Sequence, residues 1–196
     1  MVEPWIVVPA VAGSNPVGHP ITVCRLPFTA CGSQFKRCMP QIVLSIEPRN
    51  PLSEEALFLL HEAALEARQL YPDLIDKNAP MPTNQPLQPG EVYLVAFLAE
   101  KPVGCGALRR FDAVTAEVRR MYVLKPARRA GIAREILVRL EKDAARLGYQ
   151  MLLLETGNRQ HPAMALYESY GFTRIPRFGR YVNDPVSVCF SKRLGS

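Results

Sequence analysis

No CxxC pair occurs in the 196 residues, and none of the five cysteines, at positions 24, 31, 38, 105 and 189, has a histidine at metal-ligand spacing. This excludes a disulfide framework or a zinc site as the organising feature and leaves isolated thiols, with no metal expected. Long apolar runs are missing as well. The longest uncharged stretch, residues 4–24, is broken by Pro9, Gly13, Pro16, Gly18 and Pro20, so nothing reads as a transmembrane helix and no membrane partner is expected. Glu3 stands where a signal peptide carries basic residues, and Pro9 interrupts the apolar part, so the expectation is a cytoplasmic protein. GxGxxG is absent, and so is the Lys-Ser/Thr pair of a P-loop. Aromatic and basic residues do not alternate, which ranks nucleic acid last among partners despite a net charge of +6.

What is present is a chain of one-domain length with 48% apolar residues, enough for a proper core. Residues 1–38 differ from the rest: they hold five prolines, three of the five cysteines and one acidic residue, without periodicity. Gly13-Ser14-Asn15-Pro16 can be encoded by GGT-TCG-AAT-CC, the shared T-arm sequence of transfer-RNA genes. Residues 1–38 are therefore expected to be a non-domain leader, either a stretch upstream of a true initiator at Met39 or a disordered natural extension, with the domain at 39–196. Without the leader the balance is 21 basic against 17 acidic residues.

"QIVLSIEP" (41–48) alternates like a strand, and Ser53-Glu54-Glu55 starts a helix in which Leu60, Ala64, Ala67 and Tyr71 form a stripe. Residues 72–91 carry five prolines and predict a long loop. "VYLVAFLAE" (92–100) and "VGCGALRRFD" (103–112) read as a strand pair turning at Lys101-Pro102, followed by a third strand, "TAEVRRMYVL" (115–124). Ile132, Ile136, Leu140, Ala144 and Leu147 mark a second helix ending at Gly148. "QMLLLET" (150–156) is apolar enough for a strand buried on both faces, a helix spans about 163–170, and "VSVCFSKRL" (186–194) is a last strand. The order predicts a mixed α/β domain.

Between the third strand and the second helix lies "KPARRAGIARE" (125–135). A strand entering a helix through a glycine turn exposes backbone N–H groups where the helix dipole favours negative charge. Ala130, Gly131 and Ala133 are small enough for a ligand to approach, and Lys125, Arg128, Arg129 and Arg134 add positive charge. Local chemistry favours phosphate binding over a solvated turn.

"RRAGIA" resembles the R/Q-x-x-G-x-G/A signature of the GNAT superfamily of acyl-CoA-dependent N-acetyltransferases, with Arg128, Gly131 and Ala133 at the signature positions. "AEVRRMYVLKP" before it resembles the family's central strand, and "ETGNRQHPAMALYESYGF" after it resembles the closing segment. The resemblance implies a mixed sheet splayed into a V between its fourth and fifth strands, with acetyl-CoA as co-substrate in the opening. Pantetheine would pair with Met121, Tyr122 and Val123 as an added strand, and pyrophosphate would sit on Arg129, Ala130, Gly131, Ile132, Ala133 and Arg134, with Arg128 and Arg129 reaching phosphate. It also implies Glu117 as general base, Tyr167 as the acid for the CoA thiolate, and an oxyanion donor at Tyr122 or Val123. Gln160 replaces the usual asparagine as a pantetheine contact. Strand alternation, barring a bulge, puts Glu117, Arg119 and Met121 on one face; there Arg119 would meet a substrate carboxylate. Glu155, at the end of the buried strand, is a cleft or a structural residue.

The acceptor expected is a small primary amine, amino-acid-like or a polyamine. The alternatives are a protein or peptide N-acetyltransferase and a non-catalytic CoA-binding module, and a homodimer is allowed. The loop 72–91 and the segment 176–185 are expected to shape the acceptor pocket.

Overall fold

The computed structural model describes residues 43–195. The leader 1–38 and the start of the strand expected at 41–48 lie outside the described residues. In chain order come β1 (Leu44–Pro48), α1 (Glu54–Leu70), β2 (Val92–Leu98), β3 (Lys101–Arg110), β4 (Thr115–Val123), α2 (Ile132–Arg146), β5 (Met151–Gly157), α3 (His161–Ser169), β6 (Thr173–Ile175) and β7 (Ser187–Arg193). The strands form one sheet in the order β1-β2-β3-β4-β5-β7-β6. Every pairing is antiparallel except β4 with β5.

Each face of the sheet is closed by apolar side chains. α2 and α3 pack Ile136, Leu137, Leu140 and Met164 against Leu108, Val118, Met121 and Leu154 on one face. On the other, Ala56, Leu59 and Ala67 of α1 meet Tyr93, Val95, Cys105 and Tyr122. α1 begins where expected, because the Ser53 hydroxyl accepts the N–H of Ala56. α2 can lie close to β3 only because Gly106 has no side chain: a Cβ there would stand 2.7 Å from Ile136 Cγ2 and 2.8 Å from Met121 Sδ.

Three local expectations change. The β2–β3 turn is at Ala99 and Glu100, both with positive φ, rather than at Lys101-Pro102; these two residues begin β3, beside a register shift at Ala96/Phe97. Leu147 is 40% exposed, because the chain leaves the helix through Gly148 (φ 86) and buries Tyr149 instead. β6 was not separable from its neighbours in the sequence, being only three residues long. The Pro-rich connection forms neither helix nor strand over residues 71–91, yet it is tied down. Buried Asn84 donates to Pro51 O at 2.9 Å and accepts from Arg120 Nε at 2.9 Å, and Arg109 donates to Gln85 O and Pro86 O.

The feature that positions the site is the end of the β4–β5 pairing. Four rungs join them, from Thr115↔Met151 to Val118↔Leu154. β4 then continues to Val123 and β5 to Gly157 without further rungs between them. Arg120, with φ 59, forms a bulge opposite β3, where the register shifts between Cys105 and Ala107. Past the fourth rung the sheet is splayed into a V between its fourth and fifth strands. Among the described residues no helix is long and apolar enough to cross a membrane.

Candidate active site

The turn from β4 into α2 runs through a single 3-10 turn at Lys125–Ala127 and two residues in the left-handed region, Arg129 (φ 67) and Gly131 (φ 77). A Cβ on Gly131 would meet nothing within 4 Å, so backbone conformation, not crowding, requires glycine there. Gly131 precedes the first turn of α2, and Glu135 N–H is the first to bond back, to Gly131 O. The N–H groups of Ile132, Ala133 and Arg134 belong to that first turn, a concave row with the dipole behind it. Arg129, Ala130, Gly131 and Arg134 are exposed, while the Ile132 and Ala133 side chains are buried in the core. The arrangement suits a pyrophosphate.

Arg128 is tied to the protein itself. Its Nε donates to Val123 O at 2.8 Å, and its two terminal nitrogens grip Glu66 of α1 at 2.9 and 2.6 Å. The guanidinium also stacks 5.6 Å from the Tyr122 ring centre, and the Tyr122 hydroxyl reaches Glu66 Oε2 at 3.4 Å. Three of its five N–H donors thus fasten the turn to α1 and to the end of β4. Glu66 escaped the sequence reading because an acidic residue off the apolar stripe of a helix reads as solvated; only its partner, 62 residues on, reveals it.

At the mouth of the V, five elements contribute polar side chains. Glu117 and Arg119 come from β4, Glu155 from β5, Gln160 from the start of α3, Tyr181 from the segment 176–185, and Ser187 from β7. Tyr181 donates to Glu117 Oε1 at 2.6 Å and accepts from Arg180 at 2.8 Å. Arg119 Nε lies 3.7 Å from the same Glu117 oxygen. Ser187 donates to Glu155 Oε1 at 2.7 Å, and Thr156 donates to Gln160 Oε1 at 3.1 Å. Among the described residues three buried side-chain atoms lack a hydrogen-bond partner, Arg119 Nε, Glu155 Oε2 and Gln160 Nε2. Arg119 and Glu155 are the first residues past the β4–β5 split, and Gln160 caps α3 just after β5. Buried polar atoms are seldom left this way, which suits a polar ligand at the split.

Burial lifts the Glu155 carboxyl to about 7, helped by the charges of Asp184 and Glu117 and opposed by Ser187 and Arg180. Burial raises the Tyr167 phenol too, with the Glu155 charge adding to it, so that it holds its proton. The Tyr167 ring is 1% exposed and packs 5.9 Å from Phe172 and 6.1 Å from Phe190.

Alternation along β4 fails at the bulge. Glu117, Arg119 and Tyr122 share the α1 face, whereas Met121 joins Val118 and Val123 in the core under α2. Met121 is therefore moved off the face expected for it, because the extra residue at Arg120 resets the period. Arg120 points toward the loop and Asn84, and burial lowers its guanidinium to about 10. Leu124 N–H donates to Val103 O across the β3 edge, so in an extended strand Val123 N–H is aimed at the edge β5 has left. Among the described residues no group of three His, Cys, Asp or Glu could hold a metal ion.

The family model described as "Acetyltransferase (GNAT) family" matches residues 58–172. An "IAA acetyltransferase" of Azospirillum brasilense is 34% identical over 157 residues, 80% of this chain and 100% of the relative. A solved Klebsiella pneumoniae protein assigned as an acyl-CoA N-acyltransferase is 30% identical, covers 78% of this chain and 98% of its own, and superposes with a TM-score of 0.64. A GNAT acetyltransferase of Elizabethkingia anophelis, solved with acetyl-CoA bound, shares the fold at 20% identity and a TM-score of 0.55, over 77% of this chain and 98% of its own. The chain belongs to the GNAT family of acetyltransferases, and it is an acyltransferase that uses acetyl-CoA.

Two outcomes follow from this geometry. Glu66→Gln breaks the two-pronged grip on Arg128 and costs about 1–3 kcal/mol of stability, read by denaturant unfolding, with a raised KM for acetyl-CoA. For Glu155, the folded chain binds more protons than the unfolded one between the ordinary 4.5 and about 7. Its contribution to stability is full below about 4.5 and is lost as pH rises through 7. Glu155→Gln is therefore expected to gain roughly 1–3 kcal/mol on the wild type between pH 5 and pH 8.5, measured by urea unfolding at each pH.

Proposed function

We propose that the protein transfers the acetyl group of acetyl-CoA to the primary amine of a small molecule, amino-acid-like or a polyamine. The observation that carries this reading is the pair of partnerless buried atoms on the first residues past the split, Arg119 Nε and Glu155 Oε2. Atoms so enclosed are satisfied by a compact polar molecule. The A. brasilense relative, matched over its full length, carries a name consistent with a small acceptor.

The family's co-substrate supplies the activated acetyl carbonyl; the rest falls to this chain. The open edge of β4 at Met121, Tyr122 and Val123 offers backbone groups to pantetheine, and the turn at 129–134 receives the pyrophosphate. Val123 N–H, aimed into the V, meets the oxyanion as the carbonyl is attacked. An ammonium is a poor nucleophile, so Glu117 takes its proton directly or through water, and Tyr181 and Arg119 keep that carboxylate oriented. The C–S bond breaks as the C–N bond forms, and Tyr167, held protonated by burial, gives its proton to the departing thiolate. Gln160 keeps its Nε2 for the pantetheine amides. One ammonium proton stays on the amide nitrogen, and the other two leave through these groups to sulfur and solvent.

Glu117→Gln and Tyr167→Phe are each expected to lower kcat by about 10²-fold or more, followed as thiol release from acetyl-CoA across pH. Unchanged turnover in a folded variant removes that residue from the mechanism.

A further inference from the structure

The last rung between β4 and β5 joins Val118 to Leu154, so the first residues beyond the split are Arg119 and Glu155. Equivalent positions on neighbouring parallel strands face the same side of a sheet. A cation and an anion so placed, and both largely buried, would ordinarily pair with each other. No ion pair between them is found among the described residues: Arg119 turns to Glu117 at 3.7 Å, and Glu155 takes its hydrogen bond from Ser187. Arg119 keeps its buried Nε without a hydrogen-bond partner, and Glu155, at 4% exposure, keeps Oε2 without one.

Resting on the small-amine reading above, we infer that the acceptor is a zwitterion whose carboxylate sits on Arg119 and whose ammonium sits on Glu155 Oε2. A molecule with both charges a few bonds apart satisfies both orphaned atoms and neutralises both side chains. A polyamine cannot do this. Its ammonium groups would satisfy Glu155, but nothing on it would meet Arg119, whose charge would repel them. Arg180, which reaches the same cluster through Tyr181, adds to the positive side. The acceptor class is thereby narrowed to amino acids and compounds that keep an amino group close to a carboxylate.

The test compares each standard amino acid with the amine left when its carboxylate is removed, using the full-length protein, acetyl-CoA and thiol release. The wild type is expected to use at least one amino acid with a kcat/KM ten-fold or more above that of its matched amine. In Arg119→Gln the preference should collapse toward unity, chiefly through a raised KM for the amino acid. Arg119→Lys, which keeps the charge but not the planar fork, should restore part of it. If matched amines are used as well as or better than their amino acids, or if Arg119→Gln keeps the full preference, the zwitterion is wrong while small-amine acetylation stands. If no molecule of either set is acetylated although acetyl-CoA still raises the melting temperature, the small-amine reading itself fails. The wild-type comparison decides the matter even where a variant does not fold.

Discussion

The parting of β4 from β5 after four rungs is the constraint on which everything at the site depends. Had the pairing continued, the backbone edge at 119–123 would be consumed by β5 and Arg119 would lie against Glu155. The bulge at Arg120 bends β4 at that point, and Gly106, facing the bulge across β3, lets α2 close over it. Residue 120 adopts a left-handed conformation that arginine does not favour, and its side chain is anchored to Asn84 of the Pro-rich connection. A loop without regular structure thus helps to hold open the strand on which the chemistry is set out.

The charges around the V divide into those already satisfied and those that are not. Arg128 bonds Glu66 and Val123 O, and Arg109 bonds Glu91 and the loop carbonyls. In the proposed reading the exposed backbone of the turn, with Arg129 and Arg134 at its rim, serves phosphate, and Arg119 and Glu155 form the positive and negative sides that serve the acceptor. Opposite charges held apart in a partly dry cleft favour a ligand that matches both, since each charge left alone there is costly.

Much of this was legible in the residues. The apolar stripes of α1 and α2, the alternation of β1, the unbroken apolar run of β5 and the glycine turn before α2 placed the elements, because each reports a local preference that packing left in force. The turn and strand edge proposed for acetyl-CoA were visible as elements for the same reason, being continuous in sequence. The partners of Glu117 and Glu155 were not, since Tyr181 and Ser187 come from separate elements and meet them only in the fold. Tyr181 lay within a segment expected to line the pocket, but nothing marked it as the partner of Glu117, 64 residues away. The β4 alternation failed beyond Arg119 because a bulge leaves no residue signature when arginine rather than glycine takes the positive φ.

The central claim is that one cleft, bounded by the free edge of β4 and the turn before α2, receives acetyl-CoA. Amide hydrogen exchange with and without acetyl-CoA tests it most directly, because the backbone groups assigned to the co-substrate are themselves the reporters. Protection concentrated at Met121, Val123 and residues 129–134, with little change in β1 and β2, is the expected result. Exchange at those amides unaffected by saturating acetyl-CoA, or protection confined to another part of the chain, would contradict it.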